Sequence, residues 1–218
     1  MPRGGLASAT KSAAAADAAQ RYLLLADISG YTRFLAGVER THGVDFSLGI
    51  PAGYSIIAAL LDAVVEGVRP AFDVAKIEGD AVFAVAPAPA LDGRGEAVLA
   101  RLRALHRAFG DVQRRSTEES DHLCTACPIA GTLRLKVILH RGLAVHVTGG
   151  AHAELHGPAV NIVHRLLKNT VETRFGLGPY ILLTDEAAAG LRLAGVGASH
   201  REEYPDVGPV TGRVIDLE

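Results

Sequence analysis

The chain has 218 residues, 49% of them hydrophobic, and a formal net charge of −2 at pH 7, which suffices for one domain with a filled core. That charge supplies no electrostatic footprint for nucleic acid or an anionic membrane surface, and no apolar run approaches the roughly 20 residues of a spanning helix. The first 20 residues lack the apolar stretch of a signal peptide, and the two cysteines, Cys124 and Cys127, make no disulfide framework, so a soluble, cytoplasmic protein is expected.

In chain order, residues 1–20 read as a flexible, alanine-rich lead and 21–218 as a single domain. Tyr22 to Ala26 is an apolar run followed by Asp27-Ile28-Ser29-Gly30, a buried strand that ends in a turn. Residues 32–68 have helical periodicity, with Ile56, Ile57, Leu60, Leu61, Val64 and Val65 on one face, and Pro51 and Gly53 divide the stretch into two helices. Phe72 to Lys76 and Ala81 to Val85 bracket Glu78-Gly79 as a two-strand unit. A helix is predicted near Glu96 to Phe109. Residues 113–131 are polar and turn-prone and read as an insertion holding the cysteine pair. Leu133 to Leu139 and Leu143 to Thr148 are expected to form a hairpin about Arg141-Gly142, followed by a helix from Val160 to Val171 and a strand from Tyr180 to Thr184. This order predicts an α+β fold: a ferredoxin-like α/β sandwich whose sheet is mostly antiparallel, with helices on one side.

Asp27 and Asp80 each lie at the edge of an apolar, strand-like run, where a buried charge is costly unless something neutralises it. Two carboxylates at neighbouring strand ends beside a glycine turn suit a hard cation and a phosphate-bearing ligand. The competing reading is that such an aspartate caps the following helix. Lys76 is one of four lysines in the chain; in an apolar strand, the alternative is a solvated edge residue. Asn161 and Arg165 are spaced i, i+4 and share one helix face. His122, Cys124 and Cys127 are candidate zinc ligands by spacing, against a redox dithiol or plain loop cysteines. A closed site would need a fourth ligand, from another histidine such as His140, His152 or His156, or from a dimer mate.

Four segments, taken together and in order, resemble the catalytic domain of class III adenylate/guanylate cyclases: Ala26 to Thr32, Lys76-Ile77-Glu78-Gly79-Asp80, Leu135 to Gly142, and Glu154 to Leu166. The strings Lys-Ile-Glu-Gly-Asp and His-Arg-Leu-Leu-Lys-Asn, with the Cys-x-x-Cys between them, further resemble a little-studied bacterial branch of that superfamily known mainly as a domain of unknown function. The resemblance implies the class III cyclase fold, with Asp27, Asp80 and the Ile28 carbonyl holding two Mg²⁺ or Mn²⁺ ions. It implies phosphate contacts from the turn at Ser29, Gly30, Tyr31 and Thr32, base recognition by Lys76 and Glu154, ribose positioning by Asn161 and transition-state stabilisation by Arg165. It also implies a homodimer with sites shared across its interface, and ATP as the favoured nucleoside triphosphate, because a lysine–acid pair matches the acceptor and donor on adenine's edge. The sequence departs from the family at Glu78 and Glu154. It also lacks a late phosphate-binding lysine, for which Arg174 and Arg201 are candidate substitutes. The expected function is therefore a nucleotidyl cyclase making cyclic AMP, with a catalytically silent nucleotide- or partner-binding module as the alternative. A diguanylate-cyclase or polymerase-palm relative is disfavoured by the missing Gly-Gly-acid signature.

Overall fold

The computed structural model describes residues 18–43, 46–118, 127–149, 152–193 and 195–218. Strand β1 (Ala18–Ser29) leads into α1 (Tyr31–His42), a 3₁₀ turn (Phe46–Leu48) and α2 (Ala52–Val68). Strands β2 (Asp73–Glu78) and β3 (Ala81–Pro87) follow, then α3 (Ala88–Leu91), α4 (Gly95–Glu118) and α5 (Cys127–Ala130). The second half runs β4 (Arg134–Gly149), β5 (His152–His156), α6 (Pro158–Arg165), α7 (Val171–Phe175), β6 (Tyr180–Thr184), α8 (Asp185–Leu191), β7 (Ala198–Tyr204) and β8 (Gly208–Asp216). The strands form one sheet in the order β2-β3-β1-β4-β6-β8-β7, with β5 paired to β4. Every pairing is antiparallel except β4 with β6. The α+β, mostly antiparallel expectation holds. Among the described residues no helix is long and apolar enough to cross a membrane.

β1 sits at the centre of the sheet because its apolar run serves both faces. Leu24, Ile28, Phe34, Leu60, Leu102 and Leu139 belong to one core, beneath α1, α2 and α4. Leu23, Leu25, Phe83, Ile138 and Val163 belong to a second core on the other face, beneath α6. Burying each such side chain stabilises the fold by roughly 1.5–3 kcal/mol. Helices therefore cover both faces rather than one. The division of residues 32–68 into two helices is as expected, and Gly53 is where they touch: a Cβ there would lie 2.3 Å from Val38 Cγ2.

Three expected boundaries differ. The hairpin about Arg141-Gly142 is instead one continuous strand, β4, paired with β1 from Ser29↔Arg134 to Ala18↔Val145. Gly142 is an in-strand residue whose Cβ would come within 2.8 Å of both Ala159 Cβ and His140 Nε2, so it admits α6 against the sheet rather than turning the chain. The true hairpin joins β4 to β5, and Glu154 stands on β5, ahead of the helix. The predicted helix 160–171 divides into α6 and α7, and α4 continues through Glu118 into the segment read as turn-prone.

Tyr22 is fully buried, and its hydroxyl donates to Asp92 Oδ1 at 2.7 Å. Arg141 clamps the same carboxylate through Nε (3.0 Å) and a terminal nitrogen (3.1 Å). The Arg141 guanidinium, more than the Tyr22 hydroxyl, holds the Asp92 carboxyl below the usual range, while burial pushes the Tyr22 phenol up. Asp92→Ala is expected to strand that hydroxyl and cost about 1–3 kcal/mol, read as a lower urea midpoint. Burial also holds His106 and His140 below the ordinary imidazole value. The unfolded chain then takes up protons first, so stability should fall as the pH drops through about 6.5, the ordinary imidazole value, and His140→Gln should flatten that slope in urea titrations.

Candidate active site

Asp27 lies near the end of β1, paired with Ala81 on β3 and Lys136 on β4. Asp80 immediately precedes Ala81, and its backbone carbonyl accepts from the Ile28 N–H at 3.1 Å. The two acids thus occupy one patch. Lys136 Nζ stands 3.0 Å from Asp27 Oδ2, and both side chains are largely buried. Burial, then the charge of Asp27, pushes the Asp80 carboxyl up, with Lys136 acting in the opposite sense. Two acids against one ammonium leave negative charge that a divalent cation would balance, so this donor set fits the expected metal ions. The capping alternative does not apply: Gly30 is the N-cap of α1, and no side chain caps that helix.

Gly30 adopts φ 91°, a left-handed turn that swings the chain from β1 into α1. Ser29 Oγ donates to Glu172 Oε1 at 3.2 Å. Tyr31 is half-buried and Thr32 exposed; burial, then the charge of Asp80, raises the Tyr31 phenol. The first turn of α1 thus begins beside the acidic patch, with backbone N–H groups that have no intrahelical acceptor.

The remaining predicted groups lie on two nearby features. Lys76 and Glu154 border the same cleft of about 520 Å³, walled by Phe83, Val85 and Leu155. Lys76 Nζ contacts Glu78 Oε1 at 2.5 Å, and the other oxygen of Glu78 lies 3.8 Å from His164 Nδ1. The His164 ring is tilted against Phe83 at 5.2 Å. Glu154 has His156 Nε2 at 3.9 Å, so Lys76 pairs with Glu78 rather than Glu154 here. Asn161 and Arg165 are both exposed on α6, and Arg165 forms an ion pair with Asp206 in the β7–β8 turn.

Arg174 and Arg201, the candidate substitutes for the late lysine, border a different cleft with His200 and Arg213. His122 and Cys124 lie outside the described residues, and of Cys127 only its place at the start of α5 is described. Sequence reasoning missed Lys136, which alternates with apolar residues in Leu135-Lys136-Val137. That alternation was a legible signal, but only the β1–β4 register sets Lys136 against Asp27. Asp80→Asn should remove one of the two like charges. We expect it to raise the unfolding midpoint by a few degrees in EDTA and to abolish any Mn²⁺-induced rise seen in the unsubstituted protein, both read by differential scanning fluorimetry.

The chain is 29% identical over 167 residues to the uncharacterised protein Rv2561/Rv2562 of Mycobacterium tuberculosis, covering 74% of this chain and 73% of that protein. Its structure is similar to that of the guanylyl cyclase Cya2, with a TM-score of 0.64 at 14% identity, over 93% of this chain and 95% of the other. The adenylyl cyclase CyaB from P. aeruginosa is similar to the same degree, with a TM-score of 0.64 at 15% identity, over 92% and 96%. At such identities the likeness establishes the fold, that of class III cyclase domains, and not the activity. A model of the protein family of unknown function DUF2652 matches residues 57–174. That span covers more than half of the chain and includes Lys76, Asp80, Glu154, Asn161 and Arg165; the chain belongs to the DUF2652 family.

Proposed function

We propose that the protein is a nucleotidyl cyclase that converts a nucleoside triphosphate to its 3′,5′-cyclic nucleotide and pyrophosphate at a homodimer interface. The observation that carries this reading is the shared patch of Asp27 and Asp80, beside Lys136 and the start of α1, within a cyclase fold. Asp27, Asp80 and the Ile28 carbonyl would hold two Mg²⁺ or Mn²⁺ ions. Bound there, the ions would lower the pKa of the ribose 3′-hydroxyl and neutralise phosphate charge.

Backbone N–H groups of the turn at Gly30, Tyr31 and Thr32 bind phosphate oxygens, and Lys136 adds a cation at the same place. Asn161 orients the ribose. Arg165 donates to the α-phosphoryl group as charge spreads over its oxygens, a task suited to a planar guanidinium. The O3′–phosphorus bond forms, the bond to the pyrophosphate oxygen breaks, and the hydroxyl proton leaves to water. Arg165 must leave Asp206 to act in this way. In the arrangement that the resemblance to class III cyclases implies, the metal aspartates of one subunit would face the Asn161 and Arg165 of the other. The lysine–acid pair expected to favour ATP is loosened by the contact of Lys76 with Glu78.

The alternative, a silent nucleotide-binding module, draws on that contact and on the Arg165–Asp206 pair, both of which occupy groups the reaction needs. Purified protein is to be incubated with each of four nucleoside triphosphates and Mn²⁺, with products read by mass spectrometry. Cyclic product is expected, reduced at least ~100-fold in Asp27→Ala and Asp80→Ala. Nucleotide binding without product selects the silent module. Mixing Asp27→Ala with Arg165→Ala should restore about a quarter of the activity, because half of the randomly reassorted dimers would keep one of two sites. A mixture as inactive as its components rules out sites shared between subunits.

A further inference from the structure

We infer that the cleft beside Lys76 reads a guanine base and that Arg21 is the residue that selects it; this rests on the nucleotide reading above and names its substrate class. Arg21 lies on β1, opposite Pro87 of β3 and Gly142 of β4. Neither neighbour has a side chain able to accept a hydrogen bond. The Arg21 Nε is buried without a hydrogen-bond partner. Among the described residues, no carboxylate lies within ion-pairing distance of its guanidinium, Asp73 at the rim of the cleft included. A buried donor without an acceptor is costly, and a shift of the side chain toward an acceptor brought by a ligand relieves that cost.

The donor that the sequence offered for the base, Lys76, is held by Glu78 at 2.5 Å. Arg21 is the cation in the same cleft that has no such partner. The apolar walls from Phe83, Val85 and Leu155 suit a flat ring, and the volume of about 520 Å³ accommodates a base with its ribose. Guanine carries two adjacent acceptors, O6 and N7, which an arginine fork meets with two parallel hydrogen bonds. Its opposite edge carries two adjacent donors, N1–H and the N2 amino group, which match the two oxygens of Glu154. Adenine puts an amino group where guanine has O6 and a bare acceptor where guanine has N1–H. It would thus set donor against Arg21 and acceptor against Glu154.

The test is calorimetric titration of the full chain, with Mn²⁺, using 2′,3′-dideoxy-GTP, 2′,3′-dideoxy-ATP and 7-deaza-2′,3′-dideoxy-GTP, none of which carries the attacking hydroxyl. The guanine nucleotide is expected to bind about 5- to 150-fold more tightly than the adenine nucleotide. Replacing N7 by carbon should weaken binding about 5- to 10-fold, the loss of one hydrogen bond of the fork. Arg21→Gln should narrow the preference for guanine to the share that Glu154 supplies and make binding indifferent to N7. Equal binding of the two bases, or a 7-deaza analogue as tight as its parent, overturns the inference while leaving the nucleotide reading intact. Failure of all three to bind overturns the nucleotide reading itself. The N7 comparison uses the unsubstituted protein and so decides the matter even if Arg21→Gln does not fold.

Discussion

The long pairing of β1 with β3 on one side and β4 on the other is the constraint on which the other features depend. It is antiparallel on both flanks and runs nearly the full length of β1. Side chains alternate across a strand, so a slip of one residue would turn the acid of position 27 away from Lys136 and into the layer of α1 and α2. Leu23 and Leu25 would move with it. The register is thus fixed by core packing on two faces, and the charges at the strand ends inherit their places from that packing.

Placing two acids and an ammonium together costs stability, a cost that the proposed chemistry would explain. Asp80 is held in a poorly solvated position beside a like charge, a combination that packing alone would not select. Functional sites concentrate such conflicts, and the surrounding structure supplies the compensation. Here it comes from Lys136 and from the hydrogen bond of Ile28 to the Asp80 backbone. The Tyr22–Asp92–Arg141 cluster, at the opposite end of β1, shows the contrasting case of a polar group with every partner in place.

Much of this was legible in the sequence because apolar period and turn chemistry agreed. The buried run of β1, the split of 32–68 into two helices and the β2–β3 turn at Gly79 all follow from local pattern. Where reading failed, local pattern pointed the wrong way. Arg141-Gly142 between two apolar runs reads as a turn, yet Gly142 is needed for its missing Cβ beneath Ala159. β7 was invisible because its inward positions carry His200 and Glu202, which satisfy each other at 2.7 Å rather than presenting hydrophobic alternation. β8, wedged between β6 and β7, went unread with it. Of the candidate site, the acids, the helix pair Asn161 and Arg165, and Lys76 were singled out by type, spacing and resemblance. Lys136 and Arg21 needed the register, because their significance lies in which residues stand across from them.

The surface ion pair between Arg165 and Asp206 has a consequence for how the protein would respond to ionic strength. Both side chains are about half exposed, so added salt weakens their attraction and frees the guanidinium. The same ions also screen the pull of Lys136 and Arg165 on the polyanionic substrate proposed above. These influences oppose each other: a dilute medium keeps the arginine parked, and a concentrated one leaves it free with little to capture. In the proposed reaction, turnover should then peak at an intermediate electrolyte concentration, making the tip of the β7–β8 ribbon an ionic tuning point remote in sequence from Asp27 and Asp80.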